Sequence, residues 1–208
     1  GGGWKPKAFV KAGPWPTVLA SFLYCDGSFM VGVMLGPLGP FLGESLHLSA
    51  TQKGFLVSVP LLAGSFFRPL MGALADRIGG KNTGLIGLTF TLLPLLCGWL
   101  WATELQHFYL VGILLGVAGA SFAVALPLAS RWYPPDLQGT ALGIAGAGNS
   151  GTVLATLFIP RLAASLGWKA AFGIAALPVL AVLVLFALIA KESPAPRSPI
   201  GLSGYKAL

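Results

Sequence analysis

Six apolar runs, each about 20 residues long, divide the sequence, and a run of that length can cross a bilayer as an α-helix. Short polar stretches separate the runs, and the first is too long for a signal peptide and is not followed by a cleavage site. The composition agrees, since 9% of the residues are charged, whereas a soluble domain has about 25%. The predicted spans run from Thr17 to Leu42, Gly54 to Ala75, Thr83 to Trp101, Phe108 to Trp132, Gly139 to Ala164 and Ala170 to Ala190.

These spans predict an all-α membrane protein with three parts. They are an N-terminal arm (1–16), a six-helix transmembrane bundle (17–190) and a C-terminal tail (191–208). The two halves of the bundle are weakly similar, because GSFMVGV in the first span has a counterpart, ASFAVAL, in the fourth. Similarity between segments three spans apart is typical of a 3+3 inverted repeat.

Lysine and arginine are distributed unevenly between the two sides of the predicted bundle. Of the 13, nine lie in the arm, the tail and the loops after the second and fourth spans, and three lie on the opposite side: Lys53, Arg161 and Lys169. Loops rich in cations stay in the cytoplasm, so both termini are expected there. The net charge of +7 does not indicate nucleic-acid binding, because the cations form no patch and have no aromatic residues between them.

The remaining cation is Arg68, which lies inside the second span. It precedes Asp76 by eight residues, which places it about 12 Å from the end of the helix at 1.5 Å per residue. An arginine near the centre of a membrane helix costs about 3 kcal/mol on insertion scales, so something must offset it. One interpretation is an ion pair with Asp26. The other is a ligand anion in a polar cavity, since a guanidinium binds planar oxyanions through two parallel hydrogen bonds.

Small residues recur every four positions in the fourth and fifth spans, which gives each helix a flat face for a neighbour. They are Gly112, Gly116 and Ala120 in the fourth span, and Gly139, Gly143, Ala147 and Gly151 in the fifth. Among them stands Asn149, whose amide needs a partner in hydrocarbon and so either bridges helices or donates to a ligand. The glycines from 146 to 151 also spell GxGxxG, but no strand precedes them, and we do not expect a nucleotide site.

Asp26 is the second charge inside a span. It is either a structural polar contact or a proton site, because burial favours the neutral form of a carboxyl group. Elsewhere the sequence offers no nucleophile with its base, no metal-ligand spacing and no phosphate-binding loop. Both cysteines lie within apolar runs and both histidines in loops. No enzyme activity, cofactor or metal is therefore expected.

Two stretches resemble a known transporter family. GALADRIGGK, from Gly72 to Lys81, resembles the loop signature of the major facilitator superfamily, with Asp76, Arg77 and Gly79 in place and Gly80 where a basic residue is common. The run from Gly119 to Gly151, GASFAVALPLASRWYPPDLQGTALGIAGAGNSG, is similar to the nitrate/nitrite porter family, as is GSFFRPLMG around Arg68. The resemblance covers most of the chain, from Thr17 to Lys191.

The resemblance implies a transporter of nitrate or nitrite and assigns roles to particular residues. Arg68 would bind the anion, Phe122 would pack against it and Asn149 would donate a hydrogen bond, with Ser121 and Gly148 beside them. Asp26 resembles an acid in the branch that moves nitrate with protons, so transport would be proton-coupled symport or nitrate/nitrite exchange. The gating motif of the loop after the second span would comprise Gly72, Asp76, Arg77 and Gly79.

The family would also have a second six-helix half with its own arginine, and this sequence ends in a Pro/Ser-rich segment instead. Because alternating access needs two bundles around one site, we expect a truncated or split protein, and less readily a homodimer of half-transporters. The initial GGG without a methionine agrees with an incomplete chain. Two alternative functions remain: a facilitator of another small anion such as a carboxylate, and a non-transporting membrane fragment in which Arg68 and Asp26 pair.

Overall fold

The computed structural model describes residues 6–191, and within them six stretches are long and apolar enough to cross a membrane. All six predicted spans are confirmed; each starts a few residues earlier than predicted, and the third, fourth and sixth end one or two residues earlier. The first five residues of the arm, and the tail apart from Lys191, lie outside the described residues. The helices are Pro6–Ala12; Trp15–Gly32 and Leu35–Ser45 (first span); Ala50–Ile78 (second); Gly80–Leu100 (third); Leu105–Gly119 and Phe122–Ser130 (fourth); Pro135–Gly146, the 3-10 helix Ala147–Ser150 and Gly151–Leu166 (fifth); and Trp168–Ile189 (sixth).

Three of the spans are interrupted, and the interruptions of the first and fourth spans are buried inside the bundle. The first breaks near Met34, the fourth at Ala120 and Ser121, and all three residues are fully buried. The fifth passes through the 3-10 helix Ala147–Ser150. Irregular backbone at membrane depth is tolerated where protein covers it, because lipid cannot satisfy the freed N–H and C=O groups.

Three contacts bring together one end of the bundle, which we call the basic end. Asp76 at the end of the second span forms an ion pair with Arg131 after the fourth, at 3.5 Å. The Lys191 amide after the sixth span donates to the Thr17 hydroxyl at the start of the first, at 3.0 Å. In the arm helix, Phe9 stacks on Tyr133 with ring centroids 4.4 Å apart. The chain therefore begins its first span and leaves its sixth at the same end.

Tyr133 lies between the fourth and fifth spans and covers the basic end of the bundle. Its ring is buried, and its hydroxyl has no hydrogen-bond partner among residues 6–191. Burial raises the pKa of this phenol above its ordinary value. A Cβ at Gly13 would lie 3.0 Å from the Tyr133 ring, so a larger residue here would press on that ring.

The opposite end joins the first, second and sixth spans. The Trp168 indole N–H, at the start of the sixth span, donates to the Ser45 hydroxyl at the end of the first, at 3.1 Å. Ser49 caps the second span: its hydroxyl accepts from the Gln52 amide, and the Gln52 side chain accepts from the Ser49 amide. Such a capping box satisfies two amide groups that a helix start leaves unpaired.

Glycines set how closely the spans pack, and the prediction from four-residue spacing is confirmed in the fourth span and only in part in the fifth. A Cβ placed on Gly112 would lie 3.0 Å from Val59, and one on Gly116 would lie 2.5 Å from the Ala63 Cβ, so this face does press on the second span. In the fifth span the prediction holds at Gly151, whose Cβ would overlap the Asp26 carbonyl of the first span, and fails at Gly139 and Gly143, where nothing lies within 4 Å of a Cβ. Its close contact with the first span therefore comes from the region of the 3-10 helix.

Candidate functional site

The side chain of Arg68 reaches the broken centre of the fourth span because glycines let the second span approach it. Gly64 lies one turn before Arg68, and its neighbours include Gly116 and Gly119 of the fourth span. A Cβ on Gly116 would lie 2.7 Å from the Gly64 backbone nitrogen, closer than any side chain tolerates. The two backbones thus touch directly, which places the guanidinium beside the break.

The break supplies the one hydrogen bond that holds the Arg68 side chain within residues 6–191. Between Gly119 and Phe122 the helix is not regular, and the Ala123 amide donates to the Ala120 carbonyl at 3.1 Å instead of to Gly119. The Gly119 carbonyl is therefore free, and the Arg68 Nε–H donates to it at 3.3 Å. A carbonyl released from a helix needs a donor, so this contact satisfies the backbone and orients the guanidinium.

Arg68 forms no ion pair with any carboxylate among residues 6–191. The sequence suggested Asp26 as the ion-pair partner of Arg68. Asp26 instead accepts a hydrogen bond from the Ser150 hydroxyl at 2.7 Å. Asp26 and Arg68 also line different cavities. A guanidinium has five N–H donors, and the Gly119 carbonyl uses one of them. The other four remain available to a ligand.

A cavity of about 280 Å³ opens beside Arg68 between the first, second and fourth spans. Arg68 is its only charged lining residue, and the rest of the wall is apolar or glycine. Its wall includes Phe29, Gly32, Val57, Leu61, Gly64 and Gly119. The Arg68 side chain is itself exposed in the six-helix bundle, so its free N–H groups are accessible to an anion that enters the cavity.

Phe122 reaches this cavity through another ring. It packs on Phe29 with centroids 4.5 Å apart and an interplanar angle of 52°. Phe29 lines the cavity and Phe122 stands behind it. The structure therefore brings Phe122 into the neighbourhood of Arg68 as support for the wall.

The other predicted binding residues lie elsewhere in the bundle. Asn149 is exposed in the 3-10 helix, makes no side-chain hydrogen bond within residues 6–191 and does not line the Arg68 cavity. Ser121 is fully buried beside the Cys25 thiol of the first span. Gly148 is buried against the first span, where its Cβ would lie 2.8 Å from the Asp26 amide nitrogen. Only Arg68 and the Phe29–Phe122 pair come together as one site.

Asp26 borders a second cavity, of about 550 Å³, between the first, fifth and sixth spans. The side chain is half-buried, and the other lining residues are apolar or glycine. The Ser150 hydroxyl is the polar group that contacts its carboxylate. The ion pair between Asp26 and Arg68, which was one alternative from the sequence, is therefore not formed.

The loop signature after the second span occupies the basic end. Asp76 pairs with Arg131, and Gly79 ends the helix with a φ of 95°, a conformation that other residues rarely adopt. Arg77 is exposed in the last turn of the helix. Gly72 faces the fourth span, where its Cβ would lie 3.9 Å from that of Ala123. The ion pair and the close approach both tie the second span to the fourth.

Sequence reasoning missed three contributors to these sites. They are the Gly119 carbonyl, Phe29 and Ser150. The carbonyl becomes available only through the break in the fourth span, and no residue pattern marks that break. Ser150 meets Asp26 across 124 positions of sequence, although its place beside Asn149 was a usable signal.

Residues 17–204 of the chain match the family model of the Major Facilitator Superfamily. The chain belongs to this superfamily. Solved structures with the same fold include the proton:xylose symporter XylE, with a TM-score of 0.77 and 16% identity over 88% of this chain and 46% of that one. A bacterial homolog of the human lysosomal transporter Spinster superposes with a TM-score of 0.72 and 21% identity, over 97% and 48%. At these identities the likeness establishes the fold of this superfamily member and not its substrate.

Curated relatives within the superfamily carry names that refer to nitrate. The chain is 34% identical, over 80% of its length, to the "Probable nitrate/nitrite transporter NarK2" of Mycobacterium tuberculosis and covers 43% of that protein. It is 37% identical, over 73% of its length, to the "Probable nitrate/nitrite antiporter NarK1" of Thermus thermophilus and covers 33% of it. It is 29% identical, over 83%, to the "Probable nitrate transporter NarT" of Staphylococcus carnosus, of which it covers 44%. The chain thus spans less than half the length of these relatives.

Proposed function

We propose that this chain is the amino-terminal six-helix half of a secondary transporter for nitrate and nitrite in a bacterial inner membrane, with both termini in the cytoplasm. The observation that carries the proposal is the Arg68 guanidinium, held by one carbonyl and otherwise free beside an apolar cavity. The names of the relatives, which refer to nitrate or nitrite, supply the choice of anion.

In this proposal Arg68 provides both the charge and the geometry. Two of its free N–H groups lie in one plane and meet two oxygens of a flat anion, and each such hydrogen bond to a charged group contributes about 1.5–3 kcal/mol. The Phe29–Phe122 pair forms an apolar wall that limits the thickness of the ligand. A bulky, strongly hydrated anion such as phosphate is disfavoured, because the wall offers no donors to replace its water.

A second six-helix half completes the site. One bundle presents only one side of a central cavity, and alternating access requires two bundles that rock about it. Asn149, exposed and without a partner in the described residues, is placed to donate to the anion once both halves assemble. Asp26 is the proposed proton site, and its protonation would accompany the anion. The ion pair of Asp76 with Arg131 belongs to the gate at the basic end.

Transport is tested by substrate competition in the source cells, with substitutions made at the native locus so that any second half is retained. We expect the cells to take up labelled nitrate, unlabelled nitrite to inhibit the uptake, and acetate or formate in equal excess to inhibit little. Arg68→Gln should abolish the uptake without changing the amount of protein in the membrane. Inhibition by carboxylates with none by nitrite would instead support a carboxylate facilitator.

A further inference from the structure

The hydrogen bond between Ser150 and Asp26 joins the first and fifth spans at a solvent-accessible point. The Ser150 hydroxyl donates to the Asp26 Oδ1 at 2.7 Å. Ser150 is the last residue of the 3-10 helix Ala147–Ser150, which interrupts the fifth span. Asp26 belongs to the unbroken first helix of the first span. The one polar contact to this carboxylate therefore comes from the least regular part of the neighbouring span.

The backbones on both sides of this contact are pressed together. A Cβ on Gly151 would overlap the Asp26 carbonyl oxygen, and one on Gly148 would lie 2.8 Å from the Asp26 amide nitrogen. Glycines thus flank Ser150 on the face that meets the first span. Because the two backbones touch, a change in the Asp26 contact is transmitted to the 3-10 helix and cannot be absorbed by intervening side chains.

The same short segment carries the predicted anion donor. Asn149 directly precedes Ser150, and its amide is exposed with no hydrogen-bond partner within residues 6–191. A 3-10 helix has poorer hydrogen-bond geometry than an α-helix, and a short stretch of it inside a span often marks a hinge. The position of the Asn149 amide therefore depends on how Ser150 is held.

We propose that Ser150 is a positioning residue that couples protonation of Asp26 to anion binding by setting the place of Asn149. This inference rests on the proposed function. The ionised carboxylate accepts a charge-assisted hydrogen bond from Ser150, roughly twice as strong as a neutral one. When one carboxylate oxygen takes up a proton, the acceptor becomes neutral and the bond weakens, which removes one restraint on the 3-10 helix. Suppose that the anion binds better when Asp26 is protonated and the Ser150 bond is weak. Because coupling between two sites is reciprocal, anion binding then also favours protonation of Asp26.

Few other groups compete for this role around Asp26. Tyr24 and Cys25 precede it on the first span and are fully buried. The residues of the fifth and sixth spans that line its cavity with it are apolar, and Arg68 lines a different cavity. No cation among the described residues forms an ion pair with Asp26. Its charge is therefore held by the Ser150 hydroxyl.

The test compares the pH dependence of the KM for nitrate uptake in native-locus variants. In the parent, we expect the KM to differ between acidic and alkaline medium by about tenfold, which corresponds to 1.4 kcal/mol. Ser150→Ala should reduce that difference to about twofold or less, or about 0.4 kcal/mol, whereas Ser150→Thr, which keeps the hydroxyl, should retain it. Asp26→Asn should remove the difference, and adding Ser150→Ala to it should change nothing further.

Thr156→Ala is the matched control. Thr156 is another exposed hydroxyl of the fifth span, but it donates to the Thr152 carbonyl of its own helix, so the pH dependence should stay that of the parent. The readout is the ratio of two KM values, which a loss of folded protein does not alter. A parent-like ratio in Ser150→Ala would overturn the inference and leave nitrate transport standing. A parent that moves neither nitrate nor nitrite would overturn the proposed function, and the inference with it.

Discussion

At the scale of single residues, the geometry of Arg68 predicts that charge alone does not suffice at its position. Arg68→Lys keeps the cation but replaces a planar fork with a point charge, which cannot hold the Gly119 carbonyl and two anion oxygens together. Losing one charge-assisted hydrogen bond of about 1.5–3 kcal/mol should raise the KM for nitrate about 10- to 100-fold. Initial uptake rates over a range of nitrate concentrations measure it.

The matched control for this substitution is Arg161→Lys. Arg161 is an exposed arginine of the fifth span that forms no ion pair within residues 6–191, so the change should leave the KM unaltered. The amount of each variant in the membrane should equal that of the parent. If Arg68→Lys transports with the parent KM, the anion is not held by a guanidinium fork.

The sequence indicates which residues are costly in a membrane but not what each one contacts. Arg68 and Asp26 stand out because charge inside an apolar run needs compensation. Their actual partners, the Gly119 carbonyl and the Ser150 hydroxyl, depend on an interrupted helix and on a contact between distant spans. Neither feature has a local signature. The sequence therefore leaves an ion pair between Arg68 and Asp26 as one alternative, and the structure does not form it.

At the scale of helices, small residues at four-residue spacing predict a close contact between spans. The contact forms along the fourth span but only at one predicted glycine of the fifth. In the fourth span the helix is regular up to Gly119, so Gly112 and Gly116 stay on one face against the second span. In the fifth, the 3-10 helix winds at about three residues per turn, and of the predicted glycines only Gly151 makes a close contact, together with Gly148. Spacing shows that a flat face exists, and only the structure shows which neighbour covers it.

This difference predicts opposite outcomes for two glycine-to-alanine changes. At Gly116 the new methyl would meet the Ala63 Cβ and the Gly64 backbone, which cannot move aside, and overpacking of this kind costs about 1–3 kcal/mol. At Gly139 nothing lies within 4 Å, and alanine gains up to about 1 kcal/mol of helix propensity. Heating the detergent-solubilised proteins should show a lower Tm for Gly116→Ala and an unchanged or higher one for Gly139→Ala. Equal stability of the two variants would contradict the close contact between the second and fourth spans.

At the scale of the whole molecule, the cations at the two ends of the bundle predict which end faces the cytoplasm. Contacts between the arm, the loops and the end of the sixth span place Lys11, Arg77, Arg131 and Lys191 at the basic end. The sequence predicts the number of spans and this charge asymmetry because both follow from length and composition, whereas the exact positions of the three interruptions are given by the structure. The excess of cations should keep the basic end in the cytoplasm.

This orientation can be tested by labelling single cysteines from one side of the membrane. In a background without native thiols (Cys25→Ala, Cys97→Ala), Lys11→Cys should react with a membrane-impermeant maleimide only in inside-out vesicles. Lys53→Cys, at the start of the second span, should react in intact cells, because Trp168 and Ser45 tie that region to the opposite end of the bundle. Since the two positions differ by a single crossing of the first span, the same labelling pattern at both would mean that this span does not cross the bilayer. Reversed labelling would instead place the basic end, with its ion pair of Asp76 and Arg131, outside the cell.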